Sequence, residues 1–354
     1  TRFIVIMDPI LKEVKLADKI TQSLNDRKVE YFFFNELAEG SCSKTVERAL
    51  SLAKEGHIHG VIAVGGVTAL NVGRAVAAMF NEVHSFNTFL DGAQPNTNPI
   101  PCICVPSTYR TPFVFTNEVP ITDSRNHQVK LLKVQKNLCK LVLYDPNMTL
   151  TLTDNQKATL SIELISMAVE AYLSQKANFF SDTFVEKGLQ LLTYALDGSP
   201  SLDITTPEEI LLAQAGTMLS LATTSSSLGL ASLLSLTINS RYSIVKPLIS
   251  SILLPYMLED AAKYKSSQIV KLAKIMNCIP EDENPSSEEI CNYFIESIRQ
   301  RIAKANLPTR LKDLNLTIEQ LSLAVEDVKQ IDIVNTLPRS MSTDDIFDFV
   351  KKAY

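Results

Sequence analysis

A run of apolar residues, Val61-Ile62-Ala63-Val64, stops at Gly65-Gly66-Val67-Thr68 and gives way to a helical pattern. Small residues at a strand-to-helix turn let backbone N–H groups approach an anion, and the helix N-terminus adds partial positive charge. The chemistry this suits is phosphate binding, with Thr68 at the turn. Arg74 on the same helix faces either solvent or an anion. A structural turn serves the same residues equally well, because the stretch matches neither GxGxxG nor GxxxxGK[ST]. Four histidines, His57, His59, His84 and His127, all fall in the first 130 residues. His57 and His59 form an HxH pair without a nearby ligand set, and a surface loop is the expectation there. The cysteines are Cys42, Cys102, Cys104, Cys139, Cys278 and Cys291, in neither CxxC pairs nor a dense framework. Cys102 and Cys104 lie two apart in a strand and point to one face. The six read as small buried residues of a reduced compartment.

The elements that must position these groups change character along the chain. The first part alternates strands (Phe3 to Met7, Val29 to Phe34, Val61 to Val64, Pro101 to Val105, Leu138 to Tyr144) with helices (Lys12 to Arg27, Lys44 to Lys54, Leu70 to Met79). Nearly continuous apolar strands suit a parallel sheet covered on both faces. After about residue 150 helical periodicity dominates: Ser161 to Tyr172, Thr206 to Ser227, Ser250 to Tyr264, Ser267 to Met276, Ser286 to Ala305, Thr317 to Gln330 and Thr343 to Lys352. Thr317 with Gln320 fits a capping box, whereas Thr343 reads as a simple N-cap. Two domains follow, an α/β domain over 1–150 and a helical domain over 151–354.

The 354 residues are 45% hydrophobic and 21% charged, with a formal net charge of −5. That mix is globular rather than disordered, and it lacks the basic excess of a nucleic-acid binder. No long uncharged run suggests a membrane span, and no leader pattern opens the chain. The cytoplasm is the expected location.

In order and spacing these segments resemble the iron-containing (group III) alcohol dehydrogenases, relatives of dehydroquinate synthase and glycerol dehydrogenase. The likeness runs from the first strand nearly to the C-terminus. The family's GGGSxxDxAK motif corresponds to Gly65-Gly66-Val67-Thr68-Ala69-Leu70-Asn71-Val72-Gly73-Arg74. Its third glycine is Val67, its acidic position Asn71 and its lysine Arg74. The PTTxGTGSE motif corresponds to Pro106-Ser107-Thr108-Tyr109-Arg110-Thr111-Pro112-Phe113-Val114, with both glycines replaced. Arg110 either pairs with a phosphate or fills the cofactor cleft. The position that contacts the adenosine ribose in relatives falls near Asn35. The crossover is matched by Leu141 to Leu152, and the late Asn335-Thr336-Leu337-Pro338-Arg339 resembles the usual NPR ending.

The family's metal motifs are altered. DALxHAxEAY corresponds to the stretch from Glu163 to Tyr172, which puts Glu163 and Met167 at ligand positions. The two later histidine ligands fall on Ser232 and Lys246, an intervening histidine on Leu236, and Tyr256 stands in the histidine position of a following helix. No register shift restores the set, since no histidine follows residue 130. Lys246 either pairs with Glu163 in the old metal position or reaches solvent or a carbonyl. It is the candidate catalytic residue, as an electrophile.

The resemblance implies a Rossmann-like α/β domain followed by an all-helical domain, in a dehydroquinate synthase-like fold. The expected function is that of a catalytically degenerate homologue, a pseudoenzyme without iron or zinc at the family site and with weakened or lost NAD(P) binding. Residual NAD or NADP binding would use Gly65, Gly66, Thr68, Thr108, Arg110, Thr111 and Asn35. The alternative is an active NAD(P)-dependent oxidoreductase that interconverts a small alcohol with its aldehyde or ketone. A third reading is non-redox chemistry at Glu163, Lys246 and Arg110. A homodimer is expected, with a small molecule or nucleotide in the interdomain cleft and neither nucleic acid nor membrane as partner.

Overall fold

The computed structural model describes residues 1–198, 206–281 and 284–354. The chain divides into two compact units, Thr1–Leu152 and Thr153–Tyr354.

In unit 1 the elements run β1 (Arg2–Met7), α1 (Pro9–Glu13), α2 (Asp18–Asp26), β2 (Glu30–Phe34), α3 (Ser43–Glu55), β3 (Gly60–Gly65), α4 (Val67–Met79), α5 (Phe86–Leu90), β4 (Cys102–Pro106), β5 (Glu118–Asp123), β6 (Gln128–Lys133) and β7 (Cys139–Val142). A five-stranded sheet has the order β2-β1-β3-β4-β7, and all its pairings are parallel. Alternation places Ile4, Ile6, Val61, Ala63, Cys102 and Cys104 on the face covered by α3 and α4. Val5, Met7, Ile62, Val64 and Val105 lie on the other. β3 is buried along its whole length, which is why its sequence is continuously apolar.

Two features of unit 1 depart from expectation. The segment Lys12 to Arg27 is not one helix; it breaks between α1 and α2 where Lys15 takes a left-handed conformation (φ 59°). A separate antiparallel hairpin, β5 with β6, occupies a stretch without a clear sequence signal.

Unit 2 contains α6 (Asp154–Leu173), α7 (Phe179–Asp197), α8 (Glu208–Ser225), α9 (Leu230–Tyr242), α10 (Lys246–Ile275), α11 (Ser287–Lys304), α12 (Ile318–Val328) and α13 (Thr343–Ala353). No strand occurs among its described residues. A capping box at Thr153 and Gln156 starts α6 well before Ser161. Thr317 and Gln320 cap α12 as expected. The start of α13 corrects a reading: Ser342, not Thr343, is the N-cap, and Asp345 completes a box there. The two helices expected between Ser250 and Met276 are joined in α10, with Lys265 non-helical at φ −132°, ψ 36°. Among the described residues no single helix is long and apolar enough to cross a membrane; α8 and α9 pass only as a pair bent by 98°.

Candidate functional site

In a parallel sheet the strands' carboxyl ends carry ligand sites, at the point where successive connections turn opposite ways. Here that point lies between β1 and β3, since β2 flanks β1 on one side and β3 on the other. Asp8 follows β1, and Gly65-Gly66 close β3. Gly65 has φ 146°, and a Cβ there would lie 2.4 Å from Asp8 Oδ2. Only glycine meets both demands without strain. The Gly66 N–H donates to Asp8 Oδ2 at 2.6 Å. Burial pushes the Asp8 carboxyl above the ordinary carboxylate range, and the Gly66 hydrogen bond opposes that shift.

Gly66 is the N-cap of α4, so the N–H groups of Val67, Thr68 and Ala69 stand at its open N-terminus. Gly73 lets this helix lie close on β3, where a Cβ would come 2.5 Å from Ala63 Cβ. The next loop is tied to the same turn, because the Ser107 N–H donates to Gly65 O at 2.9 Å. That loop carries Thr108, Arg110 and Thr111, all buried. Arg110 is only 3% exposed, and its N–H reaches Thr108 Oγ1 at 3.4 Å. Thr111 Oγ1 shares a hydrogen bond with the Tyr144 hydroxyl. A shallow crevice with room for about one water lies between α4 and this loop, lined by Val67, Leu70, Asn71, Arg74, Thr111 and Phe113. Asn35 follows β2 directly and is exposed. The expected nucleotide residues of unit 1 therefore gather along the carboxyl edge of the sheet, and the turn fits a dinucleotide pyrophosphate.

Asn71 and Arg74 work elsewhere. Asn71 Nδ2 donates to Pro120 O at 3.2 Å. Arg74, 1% exposed, donates to Glu118 O at 3.2 Å and Thr116 O at 2.6 Å. Together they staple α4 to the hairpin and its approach. Arg74 thus faces neither solvent nor a phosphate at the turn.

In unit 2 the family's metal-ligand positions sit on well-formed helices. Glu163 and Met167 lie on α6, both buried. Ser232, in the first turn of α9, gives both its backbone N–H (2.9 Å) and its hydroxyl (2.5 Å) to Glu170. Glu170 is an unforeseen member of this site. Its carboxylate closes the N-terminus of α9, where helix charge favours an anion. Burial raises its pKa, and the bonds from Ser232, Gly229 and Ala231 oppose that rise. Lys246, at the start of α10, lies 3.4 Å from Asn239 Oδ1. One carboxylate, a thioether, a hydroxyl already committed to Glu170 and an ammonium without a lone pair do not fit Fe²⁺ or Zn²⁺.

A different donor set is present in unit 1. The sulfurs of Cys102 and Cys104 on β4 and Cys139 on β7 lie within 4.8 Å of one another. Cys102 and Cys104 are 3.9 Å apart, and Cys104 and Cys139 are 3.1 Å apart. Among the described residues this is the one group of three or more metal-competent side chains. Hydrogen bonds to Cys104 and Cys139, with burial, push the Cys102 thiol well up. Those from Cys102 and Cys104, with the Arg74 guanidinium, draw Cys139 below the ordinary thiol range. The same-face placement of Cys102 and Cys104 was legible in the sequence. Cys139, 35 residues further on, joins them only through strand pairing. The HxH pair has a structural use, as His59 Nδ1 accepts from the Arg2 N–H at 3.1 Å.

The family model for iron-containing alcohol dehydrogenase matches residues 1–146, and that for the C-terminal region of the Fe-containing alcohol dehydrogenase family matches residues 157–354. Long-chain-alcohol dehydrogenase 1 of Geobacillus thermodenitrificans is 22% identical over 92% of this chain and 82% of its own length. Lactaldehyde reductase of Escherichia coli is 20% identical, covering 99% of this chain and 91% of its own. A solved 1,3-propanediol oxidoreductase superposes with a TM-score of 0.90 at 18% identity, over 100% of this chain and 92% of the other. At that identity the superposition establishes the fold.

The match of both halves of the chain to the family, over nearly its entire length, corrects the expectation of a degenerate pseudoenzyme without the family's activity. The convergence of Cys102, Cys104 and Cys139 corrects the reading of the cysteines as merely small buried residues, and no reading of the family's own ligand positions reveals that trio. The chain belongs to the iron-containing alcohol dehydrogenase family.

Proposed function

We propose that this protein is an NAD(P)-dependent oxidoreductase that interconverts a small alcohol with its aldehyde or ketone. The observation that carries the reading is the Gly65-Gly66 turn, at the point of the sheet where the connections reverse, in a chain that matches the family in both halves. The N–H groups at the start of α4 and the Thr68 side chain hold the pyrophosphate. Asn35 contacts the adenosine ribose, and Thr108, Arg110 and Thr111 complete the wall on the far side of the turn. When bound, the nicotinamide supplies or takes the hydride.

No step is routed through a metal at the family position, because the donors there do not fit one. Lys246 is the group on this chain proposed to polarise the substrate oxygen, its ammonium favouring the negative charge that develops as hydride leaves or arrives. Kinship with the wider dehydroquinate synthase-like superfamily is part of the same proposal. The order of the glycine turn, the loop from Pro106, the crossover and the later helical motifs supports it.

Calorimetric titration with NADH and NADPH, followed by turnover of short aliphatic alcohols and aldehydes, tests the reading. Binding and turnover are expected. Replacing Lys246 by Met is expected to lower kcat about 100- to 1,000-fold, the usual cost of removing one such donor, with nucleotide affinity retained. Absence of nucleotide binding would overturn the proposal; binding with unchanged turnover in Lys246→Met would remove Lys246 from it.

A further inference from the structure

Arg74 poses an electrostatic problem that its carbonyl acceptors do not solve. A guanidinium keeps its charge at any pH a folded protein meets, and a buried charge needs an opposite one. Its Nη atoms go to the neutral carbonyls of Thr116 and Glu118, while Nε is buried without a hydrogen-bond partner. The Arg74 charge acts on the Cys139 sulfur, and Cys104 and Cys102 lie beside that sulfur. Three sulfurs converge beside this cation, so thiolates bound to a metal ion there would have an opposite charge nearby.

We propose that Cys102, Cys104 and Cys139 form a three-thiolate site for a divalent soft cation of the zinc type, with Arg74 as the balancing charge. Three thiolates, one divalent ion and one guanidinium carry no net charge together, so the assembly suits a dry interior. The spacing supports it. Zinc–sulfur bonds of about 2.3 Å in a tetrahedral arrangement put sulfurs about 3.8 Å apart. The Cys102–Cys104 separation of 3.9 Å is already at that value. The Cys104–Cys139 separation of 3.1 Å must open by about 0.7 Å to match that geometry. Cys139 can yield, since it is only partly buried, on the edge strand, beside a register shift at Cys102 and Ile103. The same edge is the route of entry for the ion. Binding releases thiol protons, and a fourth position stays open for water.

The site lies apart from the proposed nucleotide turn. Cys102 and Cys139 are the first residues of β4 and β7, at the end of the sheet opposite the Gly65-Gly66 turn. An ion there clasps the edge strand to the sheet and does not touch a nucleotide at the carboxyl edge. The inference is therefore independent of the redox proposal.

The test uses full-length protein, reduced and stripped with a chelator, then titrated with Zn²⁺ against a chromophoric competitor and with Cd²⁺ by its sulfur-to-metal charge-transfer absorption. One equivalent of either ion is expected, with a higher melting temperature. Outer-sphere partners alone are worth 10- to 100-fold in affinity, so Cys102→Ser, Cys104→Ser and Cys139→Ser should each weaken binding by about 100-fold or more. Cys278→Ser and Cys291→Ser should leave it unchanged. Where a serine variant fails to fold, the wild-type protein decides: Zn²⁺ should slow alkylation of Cys139, the partly exposed member. No binding, binding that survives Cys104→Ser, or alkylation of Cys139 indifferent to Zn²⁺ overturns the proposal.

Discussion

The two units treat the family pattern differently. In unit 1 the glycine turn forms although Val67, Asn71 and Arg74 stand where the resemblance expects a third glycine, an acidic residue and a lysine. In unit 2 the helices form, yet Met167, Ser232 and Lys246 stand at positions where the resemblance expects imidazoles. A site built from backbone N–H groups depends on φ, ψ and close approach, and many side chains satisfy those. A site built from side-chain donors depends on residue type at each position. The first survives substitution around it, whereas the second changes its chemistry with each replacement.

The largest test of that contrast is Gly65→Val. At φ 146° and against Asp8, a branched side chain meets strain of about 1–3 kcal/mol. If the turn moves to relieve it, nucleotide affinity falls about 10- to 100-fold at 1.4 kcal/mol per tenfold. Calorimetric NADH titration reads the loss, and unchanged affinity would break the claim that backbone geometry holds the nucleotide.

In unit 2 the corresponding change is Ser232→Ala, which takes a hydroxyl donor from buried Glu170. A hydrogen bond to a charged group is worth about 1.5–3 kcal/mol, and unfolding in denaturant should show a loss of that size. The pH dependence sharpens the point. Because burial raises the folded pKa of Glu170, the unfolded chain releases this proton first. Stability therefore falls as pH rises from the ordinary carboxylate value through the raised one. Glu170→Gln, which has no proton to lose, should flatten that part of the melting curve; a profile like that of the wild type would show that Glu170 is not the titrating group.

The smallest effect is expected at the N-cap of α13. Ser342→Ala removes the acceptor for the Asp345 N–H and should cost about 1 kcal/mol. Nucleotide titration should be unaffected. A matching loss in Thr343→Ala would contradict the assignment of the cap.

What could be read beforehand follows the same physical division. The sheet strands were legible because a parallel sheet buried on both faces demands apolar runs, and α12 because Thr317 and Gln320 spell its cap. The hairpin was not, since Pro120 interrupts β5, and its turn, closing on His127 at φ 59°, lacks a glycine. α7 was hidden because it opens on Phe179 and Phe180, which are 78% and 68% exposed and blur the apolar stripe. Glycine spacing and family order are what single out the proposed nucleotide residues. The thiol trio and Glu170 were missed because each is made by contact between distant segments, 35 residues apart for Cys104 and Cys139 and 62 for Ser232 and Glu170.

The staple between α4 and the hairpin has a bearing on how unit 1 comes to be folded. Arg74 finds its acceptors 42 and 44 residues later, and Asn71 finds Pro120 after 49. A chain emerging from the ribosome can make the β3-α4 turn before those acceptors exist, but its guanidinium then has no backbone carbonyl to enter. Synthesis adds about 5–20 residues per second, far slower than the roughly microsecond formation of a helix. Final seating of α4, and with it the glycine turn at its head, should therefore await synthesis through Pro120.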